Sequence, residues 1–393
     1  MKKKYWSMPC LVLVCIMLMT ACSAPAAPAA PAASAAPEAP AASAAPADSG
    51  SNAAAPTDDG KVYEFRWAIA WPASNTVNAN LVPWVASELD KRTNGRVKIT
   101  IYHGGELLDQ VGMYEGVVNN IADIGSSRFA STPGRFPIMS AYEMPGLVFN
   151  NAYAANYAYN EMYQKYMSAD VADTHLLWID STSPGYLYTK APVNTLADLK
   201  NKQIRGDGLV GEAIAALGAA PVSIPINEVY LALENGVIDG IFDRFGGLYN
   251  NKVGEVTKYM VIARGIYPGA VFFNTMNKQV WDSLPADIQQ AFTEVSAEAY
   301  EYSAKLFWDF ENDGIQFGYD NKMELIVLSD EEQAAWLEAV KPVEQKWIDA
   351  NTTADFDAAA FMQDFKAVAQ KYNAQFSEKW PPRLAELYGA SLQ

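Results

Sequence analysis

The sequence predicts an α/β protein folded as two lobes. Three observations carry this. The region from about Lys61 to Gln393, roughly 330 residues, is too long for one small core. It opens with strand, helix, strand, helix, strand, the rhythm of a parallel sheet, and a second such series follows. After residue 277 the pattern changes to long helical stretches.

In the first series, Val62 to Ala70 alternates as a strand, and Trp71-Pro72-Ala73-Ser74-Asn75 reads as a loop. Val77 to Arg92 has helical spacing at Val77, Leu81, Val85 and Leu89, and Asn94-Gly95 stops it. Val97 to Tyr102 is a second strand. Gly104-Gly105 breaks the chain before a helix ending near Asn119, and Ala122-Asp123-Ile124-Gly125 begins a third strand. In the second series, Tyr153 to Met167 is helical, and His175 to Asp180, Tyr186 to Lys190 and Gln203 to Arg205 are strands. Leu209 to Leu217 is a helix closed by Gly218. Asn227 reads as the N-cap of a helix over Glu228 to Glu234, before a strand over Val237 to Phe242. Ala270 to Asn274 is strand-like and is expected to cross back to the first lobe. Helices follow over Lys278 to Leu284 and Pro285 to Phe310, then a strand over Met323 to Val327, then helices over Asp330 to Ala350 and Ala354 to Tyr372. The resulting division is lobe I over 61–181, with part of 270–320 returning to it, lobe II over 182–269, and helices over 277–393.

The N-terminus reads as a targeting signal. Lys2, Lys3 and Lys4 precede the apolar run Met8 to Met19, too short to span a bilayer. Met19-Thr20-Ala21-Cys22 resembles a bacterial lipoprotein cleavage site, which makes residues 1–21 the signal and Cys22 the lipidated terminus. An ordinary secretory signal is the alternative. Residues 22–60 are mostly Ala, Pro, Ser and Gly, the composition of a disordered tether.

Taking the three signal lysines from the 29 basic residues leaves 26 against 45 acidic ones, a net charge of −19. Such a chain is a poor ligand for nucleic acid or anionic lipid, and an anion site must be built from local positive charge. Cys10 and Cys15 fall in the signal, so no disulfide or cysteine metal site is expected. His103 and His175 are the two histidines and lie far apart in sequence. No Gly-x-Ser-x-Gly, no P-loop and no Gly-x-Gly-x-x-Gly after a strand is recognised, and Gly104-Gly105 is too short a signal to count. An enzyme is therefore the weaker reading, and no cofactor or metal is expected.

The richest segment is Gln203 to Arg244. Arg205 stands at a strand end, where a guanidinium can grip a carboxylate bidentately, or can pair with Asp207 or Asp198 at the surface. Asn227 would offer a helix N-terminus to an anion, or act as a plain cap. Asp243 and Arg244 end a strand, where ligands gather in such sheets, or they pair internally.

The runs Leu217-Gly218-Ala219-Ala220-Pro221-Val222, Glu228-Val229-Tyr230-Leu231-Ala232-Leu233 and Gly236-Val237-Ile238-Asp239-Gly240 resemble the solute-binding subunit of TRAP transporters, the DctP-type family. Ile121 to Gly125, Met144 to Phe149 and Trp281 to Asp287 are similar to further family segments in the same order. The resemblance implies a periplasmic-binding-protein-like fold of type II with a long inter-lobe helix. It also implies a small carboxylate ligand and two integral membrane partner subunits, and it fits a place in the periplasm or at the cell surface, anchored to the membrane by the lipid on Cys22. It makes Arg205 the carboxylate clamp, and it turns the loops holding Trp71, Asn75 and Arg128 toward the cleft. Tyr186 falls near a position that adds a polar contact. Two departures stand out: Ile226 replaces a stacking aromatic, and Asp243 replaces an amide. A binding subunit of an ABC importer, or a sensory input protein, would share the architecture.

Overall fold

The computed structural model describes residues 60–132, 134–166, 169–389 and 392. The expected signal, Cys22 and the tether up to residue 59 lie outside them.

Eleven strands, β1 to β11 in chain order, form two sheets among the described residues. The first sheet contains β1 (Tyr63–Ile69), β2 (Val97–Tyr102), β3 (Ile124–Arg128), β4 (Thr174–Ser181) and β10 (Val271–Asn277) in the order β2-β1-β3-β10-β4. β1 pairs parallel with β2 and β3, while β10 is antiparallel to both its neighbours. The second sheet contains β5 (Tyr186–Thr189), β6 (Gln203–Arg205), β7 (Ala220–Val222), β8 (Gly240–Asp243), β9 (Tyr259–Ile262) and β11 (Glu324–Val327) in the order β11-β9-β5-β8-β6-β7. The chain thus builds one sheet to residue 181, most of the other to residue 262, and then returns to the first with β10.

Periodic apolar spacing produces the helices. Val77, Leu81, Val85 and Leu89 are buried on one face of helix Thr76–Arg92 against the first sheet. The helix Ala286–Asp320 runs ten residues past its expected end at Phe310. Its Ile288, Phe292 and Val295 pack in the core of the first sheet and Ile315 in that of the second, so it spans both. Helix Asp330–Asn351 does the same, with Trp336 in one core and Trp347 in another.

Several short elements were not expected: β7, β9, and helices Phe245–Asn250, Val253–Val256 and Pro382–Tyr388. β7 carries Pro221, which is tolerated because β7 lies on the sheet edge. The expected strand over Val237 to Phe242 begins at Gly240, because Val237 and Ile238 still donate to Ala232 O at the end of the preceding helix. Asn227 is not the expected N-cap: a 3-10 turn over Ile226–Glu228 comes first, and helix Val229–Glu234 has no side-chain cap.

Candidate functional site

A cavity of about 650 Å³ lies between the two sheets. Parallel strands carry their last residues to one edge, and the cavity is lined from those edges. Arg128 ends β3, Asp180 is the penultimate residue of β4, Arg205 ends β6 and Asp243 ends β8. Trp71, Phe129, Phe136, Phe242, Phe272 and Phe307 supply aromatic wall, with Trp71 edge-on to Phe272 at 4.8 Å.

Six of the eight residues singled out from the sequence line this cavity: Arg205, Asp243, Arg128, Arg244, Trp71 and Asn75. Their remaining capacity differs. Arg205 donates Nε to Ile224 O at 3.3 Å and Nη2 to Asp207 Oδ2 at 3.2 Å, which leaves guanidinium hydrogens to spare. Arg128 is nearly spent. It grips Glu143 with Nε (2.8 Å) and Nη2, and donates Nη1 to Asp207 Oδ1 at 2.9 Å. Arg244 donates to Glu311 at 3.3 Å and lies over the Phe307 ring at 5.3 Å. Asp243 accepts from its neighbour's backbone N at 2.8 Å and from Asn251 Nδ2 at 2.8 Å. Asn75 caps helix Thr76–Arg92, accepting from Val77 N and Asn78 N.

The other two stand apart. Tyr186 is buried in the core of the second sheet, 4.6 Å from the Phe245 ring, and does not line the cavity. Asn227 is exposed on the 3-10 turn, and its neighbour Ile226 faces the cavity instead.

The structure adds residues that sequence reasoning passed over. Asp207 bridges the two sheets, pairing with Arg128 of one and Arg205 of the other. Burial alone would raise its carboxyl, but the two arginines outweigh burial and hold it below the usual range. Its signal was present: Gly206-Asp207-Gly208-Leu209-Val210-Gly211 has the Gly-x-Gly-x-x-Gly spacing of a dinucleotide turn, after a strand and opening a helix. Gly208 has φ +53, and a Cβ on Gly211 would stand 3.2 Å from Gly206 O, so the glycines do allow a tight strand-to-helix turn. Here the turn carries Asp207 at its N-cap, and the carboxylate turns to Arg128 and Arg205 and makes no cap hydrogen bond.

A second missed feature is a rung of side chains across the first sheet. Trp67 Nε1 donates to Ser126 Oγ at 2.8 Å, Ser126 Oγ to Asn274 Oδ1 at 2.5 Å, and Asn274 Nδ2 to Asp180 Oδ1 at 2.6 Å. Indole nitrogen can only donate, so every hydrogen bond points toward Asp180. The signal available was that Asp180 and Asn274 each ended an expected strand.

Residues 68–350 match the family model described as bacterial extracellular solute-binding protein, family 7 (DctP). The chain belongs to this family. The family 7 chain is 32% identical over 161 residues to the C4-dicarboxylate-binding periplasmic protein of Rhodobacter capsulatus, covering 40% of this chain and 48% of that one. It is 32% identical over 182 residues to the ectoine/5-hydroxyectoine-binding periplasmic protein of Ruegeria pomeroyi, covering 44% and 52%. The chain thus spans about half the length of these curated relatives. Two solved structures cover more. A TRAP periplasmic solute-binding protein from Desulfovibrio salexigens, in an open complex, matches with TM-score 0.73 at 28% identity, over 79% of this chain and 97% of that one. A marine metagenome TRAP protein specific for aromatic acid ligands, bound to 3-hydroxybenzoate, matches with TM-score 0.74 at 26% identity, over 80% and 99%. The expected family and two-lobed type II fold therefore stand.

Proposed function

We propose that this protein is the extracytoplasmic receptor of a TRAP-type importer: it captures one small organic acid between its sheets and presents it to two integral membrane subunits. The observation that carries the reading is Arg205. It stands at a strand end on the cavity wall, largely buried, with guanidinium hydrogens unspent. A bidentate carboxylate completes it. Arg128 and Asp207 set the neighbouring charge, and Trp71, Phe272 and Phe307 provide the apolar wall. Relatives that bind a C4-dicarboxylate, an ectoine or an aromatic acid support the general class. The receptor binds and releases without turnover. His103 and His175 are not among the cavity residues. Lipid on Cys22 would hold it to a membrane by its tether.

Two measurements test this. Mass spectrometry of denatured, freshly purified protein should find a stoichiometric organic acid. In a thermal-shift screen at least one acid should stabilise the protein by mass action, and Arg205→Ala should abolish that shift. A shift that survives the substitution removes Arg205 as the clamp. Chemical conversion of the bound acid would make the protein an enzyme.

A further inference from the structure

The charge of the cavity is the wrong sign for a plain dicarboxylate. Three arginines line it, against five carboxylates: Glu143, Asp180, Asp207, Glu212 and Asp243. Every arginine already faces an acid, Arg128 two of them. Glu212 is answered by Lys346 at 2.9 Å, outside the cavity, and Glu143 by Arg128. Asp180 is answered by none. It is 5% exposed, lines the cavity, and has no cation in ion-pair range among the described residues. Asn274 donates to it at 2.6 Å, at the end of the directional rung from Trp67. That rung delivers donors to a carboxylate and so supports its ionised form, while burial opposes it and pushes the carboxyl up to about 7. An ionised, buried carboxylate without a counter-ion is costly, and a cation arriving with the ligand removes the cost.

We infer that the ligand is a zwitterionic acid, with its carboxylate at Arg205 on the second sheet and a cationic nitrogen at Asp180 on the first. This rests on the reading of the cavity as an organic-acid site and narrows it. A dianion would bring a second negative charge to a wall that already carries an excess. A zwitterion adds no net charge and pairs one group from each sheet. The departure at Asp243 fits the same balance. An acid there adds to the negative side, and it is held by backbone N–H and Asn251, not by an arginine side chain.

The test is isothermal calorimetry on the ligand-stripped protein with two matched sets of probes. The aliphatic set is 4-aminobutyrate, 4-hydroxybutyrate, butyrate and succinate. The aromatic set, suited to the aromatic wall, is 3-(aminomethyl)benzoate, 3-(hydroxymethyl)benzoate, 3-methylbenzoate and isophthalate. On at least one scaffold the ammonium acid should bind tenfold or more tighter than its dianionic and neutral counterparts. Asp180→Asn, which keeps the Asn274 hydrogen bond, should shrink that preference at least tenfold. The inference fails if the dianion or the neutral acid binds best on both scaffolds, if the hydroxyl probe matches the ammonium probe, or if Asp180→Asn leaves the preference unchanged. Should that variant melt below the assay temperature, the wild-type preference decides alone. If neither set binds and the wider acid screen is also silent, the organic-acid reading itself falls, and this inference with it.

Discussion

Asp180 and Glu311 are both buried carboxyls, and burial raises each to about 7, with Arg244 opposing the rise at Glu311. Their usual values are 3.8 and 4.5. A carboxyl raised in the folded state favours folding most below its unfolded value and loses that contribution as pH climbs toward the folded one. Asp207 has the opposite sign: its lowered value stabilises the fold above the usual carboxylate range and is lost as pH falls. The unliganded protein should therefore melt highest near about pH 5 and lower at pH 8. In Asp180→Asn the gain over wild type should be larger at pH 8 than at pH 5. Scanning calorimetry across that range checks both, and a wild-type melting temperature that rises steadily to pH 8 would contradict them. At this scale the sequence disclosed unevenly. Arg205 was legible because a guanidinium at the end of a strand has few uses. Asp180 was not, because its meaning depends on β10 lying between β3 and β4, a neighbour ninety residues on. Tyr186 misled because it rested on the resemblance alone, and a one-residue slip along a strand turns a side chain to the opposite face.

Among the elements, the helix Ala286–Asp320 carries the most consequence. It touches helix Phe245–Asn250 so closely that a Cβ on Gly314 would stand 1.9 Å from Phe245 O and 2.7 Å from Gly246 N. Both are backbone atoms and cannot swing aside. Gly318, one turn later, would meet Leu248 Cδ1 at 3.2 Å and Met260 Sδ at 3.3 Å, the ends of flexible side chains. Gly314→Ala should therefore cost about 2 kcal/mol or more through overpacking. Gly318→Ala should cost much less, because the roughly 1 kcal/mol gained in helix propensity offsets the squeeze. Denaturant titration of the two variants decides it, and equal costs would show that the long helix is free to shift. The long helices were readable from sequence because their apolar spacing repeats over many turns. The four-residue strand Tyr259–Ile262 and the three-residue Ala220–Val222 were not, since so few residues carry no period and only pairing partners define them.

The molecule as a whole carries a large negative charge, −19 without the signal lysines. Screening by salt should relieve this self-repulsion, so the melting temperature should rise between about 20 and 300 mM NaCl. The same field slows any anion approaching the cavity. Association of isophthalate should speed up with salt, while that of a zwitterion should stay nearly flat. Stopped-flow rates at the two salt concentrations would show this, and a dianion that slows with salt would mean the cavity mouth is locally positive. The two-lobed plan itself was visible early, in chain length and in two successive strand–helix series. Less visible was how thoroughly the lobes share the chain. Residues 182–185 and 263–270 cross between the sheets side by side, with Thr182 N donating to Ala270 O at 3.0 Å and Gly185 N to Tyr267 O at 2.9 Å. The two spanning helices cross again. This interleaving sets the timetable of folding. β10 occupies the place between β3 and β4, yet it follows β4 by some ninety residues, and β11 completes the other sheet only at Val327. A chain growing from its N-terminus holds neither finished sheet until most of its length exists. Either lobe expressed as a continuous fragment would lack a strand, and the protein must fold late and all together.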